Sequence, residues 1–314
     1  MREGMKDEAD EGRAFALRGI KIARRLLQLV SCSGCQIKAH SCDGCDIFID
    51  PFPMATIRPA KPSAKPDDWT QYELYFYGIF IRTQNKQEFF GVADLPAPVI
   101  PSLAGFMTTE YREHAADGET RKLLHYLDLV LDPQIGQEAA VDNFAVRLLE
   151  KLGYDEGDRI IYIRRALPIV ISGVHYITQA DVCVMDEDDQ VLLILQDTLL
   201  PGLKDPEPQI VAKAIAAYQS NNEVRETSLN LPPLPTITFP AISMIGTKFI
   251  FYKITVREHL SSAVLRGWNR SADASVVRYI PVLPTRRHGV GMRPLENRAE
   301  ILACLAAFKQ FMGN

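Results

Sequence analysis

The chain has 314 residues, 47% of them apolar and 24% charged, with a formal net charge of −4. This composition describes an ordinary globular protein with enough length for a sizeable core, and it argues against disorder or a fibrous repeat. The negative balance excludes bulk electrostatic attraction to nucleic acid, so binding of that kind needs a local basic patch.

Residues 1–68 differ from the rest. The stretch "GRAFALRGIKIARRLLQLV" has helical periodicity with a basic face. Arg18, Lys21, Arg24 and Arg25 interrupt its apolar run, which rules out a membrane span there and is the wrong order for a secretory signal. No membrane partner is expected, and an intracellular location, nucleus or cytoplasm, is the simplest reading. Cys32, Cys35, Cys42 and Cys45 follow as C-x2-C-x6-C-x2-C, with His40 between the pairs. Two such pairs have the thiolates for a tetrahedral zinc site, but the spacer is short and the flanks carry no knuckle pattern. A leader without metal is therefore favoured over zinc. Residues 51–68 are rich in Pro, Ala and Lys and read as an extended linker, and Met54 within it offers an alternative start. Residues 1–68 are thus expected to be a poorly ordered leader and linker.

A single domain is expected over 69–314, with its core at 138–283. "WTQYELYFYGIFIRTQ" mixes helix and strand signals, and residues 94–108 read as a Pro-rich loop. "ETRKLLHYLDLVLD" (119–132) and "EAAVDNFAVRLLEKLGY" (138–154) have apolar residues at helical spacing, the second closed by Gly153 at a C-cap position. The period then changes. Residues 159–173, 177–185 and 190–198 are Val- and Ile-rich and strand-like. Asp205-Pro206-Glu207 starts a helix, with an Asp cap, Pro in the first turn and an acid beside it. Residues 232–240 read as a break, 241–256 as a hairpin turning near Gly246-Thr247, 275–283 as a strand and 295–312 as a closing helix. Cys183 and Cys304 stand alone in apolar segments and read as small core residues. The sum is a mixed α/β (α+β) fold.

The hairpin "ADVCVMDEDDQVLLILQDT" (180–198) holds the most chemistry. A turn centred on Asp188-Asp189 sets Asp181 opposite Gln196, roughly 5 Å apart on one face, with Thr198 on that face as well. A slip of one residue would instead bring Asp197 to Asp181.

This arrangement resembles the PD-(D/E)xK superfamily of restriction endonucleases and repair nucleases, whose core is helix, three strands, helix and strand. The likeness covers residues 138–220. More widely, "AVDNFAVRLLEKLGY", "DVCVMD" and "DPEPQIVAKAIAAYQ" make the chain from Trp69 onward similar to a set of uncharacterised proteins of mushroom-forming fungi. The resemblance implies a restriction-endonuclease-like core with added helices, and Mg²⁺-dependent hydrolysis of a phosphodiester. It implies Glu138 as the helix acid, Asp181 as the strand Asp, Gln196 as the metal-binding Glu and Thr198 as the Lys. The last two depart from the pattern, since Glu-Asp-Lys is expected where this chain has Gln196-Asp197-Thr198. An uncharged amide offsets little of the cost of dehydrating Mg²⁺, and a hydroxyl brings no cation to a phosphate. Lys213 or Lys204 could supply a relocated cation.

The expected function is a divergent nuclease-like protein, catalytically impaired, and a Mg²⁺-dependent endonuclease if active. The alternative is a non-enzymatic nucleic-acid-binding or protein-interaction module on the same fold. Arg286 and Arg287 in "TRRHGVGMR" are candidate phosphate contacts, since Arg forks suit phosphates, with an ordinary exposed basic loop the favoured reading; Arg164 and Arg165 share that ambiguity, and His175 is a candidate neighbour of Asp181, with a satisfied structural His the favoured reading. The run Asp186–Asp189 reads as a solvated turn. Walker A, GxGxxG, GxSxG and HExxH patterns are absent, which removes kinase, dehydrogenase, hydrolase and zincin readings.

Overall fold

Among the described residues seven strands form one mixed sheet: β1 (Ile79–Thr83), β2 (Ile160–Ile171), β3 (Val174–Met185), β4 (Val191–Thr198), β5 (Thr236–Ile245), β6 (Lys248–Arg257) and β7 (Ala274–Tyr279). Their order across the sheet is β1-β7-β6-β5-β4-β3-β2, which leaves β1 and β2 as edges. Among the described residues the helices are α1 (Gln71–Phe76), α2 (Lys86–Phe90), α3 (Ala104–Thr108), α4 (Gly118–Leu131), α5 (Ala139–Lys151), α6 (Pro206–Thr227), α7 (Glu258–Arg266) and α8 (Leu295–Phe308). The fold is α/β, as expected. The computed structural model describes residues 65–132, 139–198, 205–269, 274–286 and 291–313. Glu138, Lys204, Arg287 and the cysteines at 32, 35, 42 and 45 lie outside the described residues.

Between residues 139 and 245 the chain runs helix, three antiparallel strands, helix and strand. β2 pairs with β3 and β3 with β4 in antiparallel fashion, α6 crosses over, and β5 returns parallel to β4. A parallel neighbour requires such a crossover, which short hairpins cannot provide. α6 packs in a core with Leu167, Cys183, Ile194, Ala241 and Tyr252, together with α1 and α7. The opposite face of the sheet, with Val184, Leu193, Leu195, Ile242 and Phe251, packs on α4, α5 and α8. Each fully buried Leu, Phe or Ile in these layers contributes roughly 1.5–3 kcal/mol.

Local chemistry fixes the elements. Asp205 accepts a hydrogen bond from the Glu207 amide at 3.1 Å and Pro206 opens α6, as the sequence led us to expect. α6 is buried nearly all round from Ile210 to Ala217, so its small alanines let the sheet approach closely. Asn221 ties it to β4: its amide oxygen accepts from the Val191 N–H at 2.8 Å and its amide nitrogen donates to the Val191 carbonyl at 2.9 Å. α5 ends where Gly153 takes φ +71°, and Tyr154 then donates to the Leu305 carbonyl at 2.7 Å.

Several expectations need correction. β3 starts at Val174, not Ile177, because Ser172 (φ +57°) and Gly173 (φ +80°) make a two-residue turn whose hand suits a twisted hairpin. β5 starts at Thr236, inside the expected break. Pro240 fits because the ladder to β4 begins only at Ala241, so no partner on that side asks for its missing N–H. The 94–108 segment is not wholly loop, since α3 lies within it. α2 has too few turns to give a periodic signal, α7 was not expected although Leu260, Ala263 and Val264 share one buried face, and β7 ends at Tyr279 rather than residue 283.

Candidate functional site

The β3–β4 register matches the expected one around the carboxylate. Val182 pairs with Leu195, Cys183 with Ile194 and Val184 with Leu193, so the next pair along brings Asp181 opposite Gln196. The turn itself differs from the expected one: Met185 pairs with Val191, one residue out of register, and the bulge at Val184/Met185 brings the expected pairing back beyond it. Across β4, Gln196 pairs in parallel with Ser243 of β5. His175 lies opposite Val170 at the far end of the β2–β3 hairpin and is not a neighbour of Asp181.

A regular strand would keep all even-numbered residues of β3 on one face. This strand does not. Ala180 belongs to the α6 core, whereas Val182 and Val184 belong to the opposite core, with Cys183 and Met185 taking over the α6 side. β2 changes face in step: Ile161 packs with the α5 side, while Leu167, Ile169 and Ile171 pack with the α6 side. The switch falls between the ladder pairs Ile163–Val182 and Arg165–Ala180, at the place where Arg164 stands opposite Asp181. Arg164 has φ +57°, a left-handed conformation that turns the strand over.

That kink explains how both layers of helices reach Asp181. From one layer comes Lys213 of α6, only 3% exposed, with its Nζ 3.5 Å from Asp181 Oδ2. From the other comes Asp142 of α5, 7% exposed. Burial pushes the Asp142 carboxyl up to about 6, the Asp181 charge pushes it the same way, and Arg164 and Lys213 act against them. Arg164 Nε lies 3.9 Å from Asp142 Oδ2. Asp142 Oδ1 is buried with no hydrogen-bond partner among the described residues, and an acceptor left so is costly unless something comes to meet it.

Gln196 closes the group from β4. It is 7% exposed, and its amide nitrogen makes a long 3.5 Å hydrogen bond to Gln209 Oε1 on α6. Gln209 in turn donates to the Asp67 carbonyl at 2.8 Å, and Thr178 of β3 donates to the Asp67 carboxylate at 2.7 Å. Thr198 ends β4, in register with Ile245.

Of the sequence-derived residues, the structure describes the surroundings of Asp181 and Gln196. Asp181 forms an ion pair with Lys213 of α6, one of the two lysines named from the sequence, and the β3–β4 register sets Gln196 opposite it. Glu138 itself lies outside the described residues, and Asp142, four positions after it in the sequence, was not among the candidates. Its signal was present: 142 shares a helical row with the buried positions 145 and 149, where an acid is out of place. Arg286 is exposed and outside this group.

The oxygen donors Asp142, Asp181 and Gln196 are of the kind a hard divalent cation takes, and the orphaned Asp142 oxygen suits one. The set is one carboxylate short, and Lys213 already offsets the Asp181 charge. Among the described residues there is no group of three His, Cys, Asp or Glu placed to hold a metal. Among them, too, no helix is long and apolar enough to cross a membrane. No protein-family profile matches the chain, and no curated protein is significantly similar to it.

Proposed function

We propose that residues 139–245 are a divergent PD-(D/E)xK nuclease-like core whose hydrolytic site is impaired, acting on nucleic acid within the cell. The observation that carries this reading is the meeting of Asp142, Asp181 and Lys213 at the kink, on an element order of helix, three strands, helix and strand. In that order the second strand's Asp, a helix acid and a cation form the chemical end of the hairpin. Here the cation comes from α6 instead of position 198.

If Mg²⁺ binds, Asp142 and Asp181 would hold it, and the ion would lower the pKa of a bound water. Lys213 would then face a phosphate oxygen as a fixed positive charge. Gln196 supplies an oxygen without charge, which weakens the hold on the ion and is the reason for expecting impairment. The Lys213–Asp181 ion pair also favours the non-enzymatic alternative, because the main ligand is already neutralised.

The test is cleavage of plasmid and single-stranded DNA with Mg²⁺ or Mn²⁺, by the native chain and by a Gln196→Glu/Thr198→Lys double variant. Little or no cleavage by the native chain, with gain by the double variant, is expected. Native cleavage that disappears in Asp181→Ala would overturn the impaired reading. A double variant that folds, takes up Mn²⁺ no better than the native chain and never cuts would count against the site itself.

A further inference from the structure

Arg164 is a costly choice for its position. A residue with a Cβ at φ near +57° loses about 1–2 kcal/mol relative to the right-handed regions, and glycine or asparagine would make the same kink more cheaply. Turning β2 and β3 over does not itself call for a guanidinium; inside the protein Arg164 offsets part of the Asp142 charge. The side chain is 60% exposed, and its contact with Asp142 is long at 3.9 Å. Its backbone is held separately, by Gln179 Nε2 donating to the Arg164 carbonyl at 3.2 Å. The backbone is therefore anchored while the charged head stays at the surface, over the Asp142–Asp181 pair.

Among the described residues β2 is an edge strand, so a chain arriving at that edge meets Arg164 without displacing another described strand. Its neighbours suit a nucleic-acid strand. Arg165 stacks over the Tyr162 ring, 5.5 Å from the centroid, and Tyr162 is 43% exposed. Exposed aromatic faces and guanidinium planes are what stack on unpaired bases, while Arg forks grip phosphates.

Building on the function proposed above, we infer that Arg164 is a substrate-positioning residue: its guanidinium rests against Asp142 in the free protein and moves onto a backbone phosphate when a nucleic-acid strand lies across the kink. The kinked backbone aims the side chain, and Asp142 parks it. A single fork of this kind sets where a phosphodiester sits relative to Asp181 and Lys213, and it works whether or not hydrolysis follows.

The experiment measures fluorescence anisotropy of a fluorescein-labelled single-stranded oligonucleotide and its duplex, across a salt series without metal. Arg164→Gly removes the guanidinium and relieves the backbone, so this variant is expected to melt at or above the native temperature. Its affinity should fall about tenfold and its salt slope should shrink by about one phosphate contact. Arg164→Asn, which also tolerates this backbone, serves if the glycine variant folds poorly, with the same expected loss. Arg164→Lys should keep the slope and lose part of the affinity, since the fork is gone. Unchanged affinity and slope in a folded Gly or Asn variant would overturn the inference while leaving the nucleic-acid reading intact. A native chain that binds neither oligonucleotide would overturn that reading and this inference with it.

Discussion

Lys213 Nζ on the buried helix α6 lies 3.5 Å from Asp181 Oδ2, at the point where β3 changes face. A lysine in the middle of "IVAKAIAAY" has few ways to be buried. Its charge needs a partner, and the kink delivers one.

That pairing predicts a coupled energetic response. Lys213→Met should destabilise the protein by about 2–4 kcal/mol at neutral pH, because Asp181 and Asp142 are left facing each other without the cation. Adding Asp142→Asn should recover part of the loss. Urea unfolding of the two single variants and the double variant gives the coupling energy. An additive double variant would mean that the three groups do not act together.

The Asp142 carboxyl predicts a pH dependence of definite sign. Its folded-state value is raised from 3.8 to about 6. Between roughly pH 4 and 6 the folded protein therefore holds a proton that the unfolded chain has lost, so this group's contribution to stability falls as pH rises through that window. A rise of about two units corresponds to roughly 3 kcal/mol at most. Asp142→Asn should flatten this part of the stability profile and be the more stable form near pH 7. Chemical denaturation at a series of pH values checks it; a native profile that climbs with pH just as steeply as that of the variant would refute it.

Asn221 predicts local rather than global consequences. Its amide pairs with both backbone groups of Val191, at the start of β4. Asn221→Ala leaves a buried donor and a buried acceptor unmet and should cost about 2–4 kcal/mol. Hydrogen exchange at Val191 should quicken more than exchange in β6. Uniform acceleration across the sheet would argue against a local clamp.

Arg298 predicts the largest single loss. Its side chain is fully buried on α8 and donates to the carbonyls of Met292 at 3.1 Å, Thr109 at 2.7 Å and Arg293 at 3.1 Å, and also to that of Phe106. Burial lowers its value to about 10, which still leaves it cationic at neutral pH. Arg298→Met strands several carbonyls in an apolar setting and should cost about 3–5 kcal/mol. Arg298→Lys should restore little, because a single ammonium cannot span these acceptors. Denaturant midpoints of the two variants check this; a lysine variant near native stability would show that charge alone suffices.

Much of this protein is legible in one dimension. The period change near residue 159, the Asp205-Pro206-Glu207 cap and the Gly153 stop specify the run of helix, three strands and helix, because these are local signals carried by neighbouring residues. The register that sets Asp181 opposite Gln196 is less local: Met185 pairs with Val191, one residue out of the expected turn, and only the bulge at Val184/Met185 restores it. Short helices such as α2 escape because one turn and a half gives no period to read. The site itself was decided by tertiary packing. Strand alternation assumes an unbroken pleat, whereas β2 and β3 turn over at Arg164 and Asp181 because the two strands must cover different cores on either side of that point. Only that reversal lets an acid from α5 and a lysine from α6, 71 positions apart in the chain (142 and 213), meet the same carboxylate. No local pattern encodes such a meeting, since it depends on which faces two helices bury once the sheet has formed.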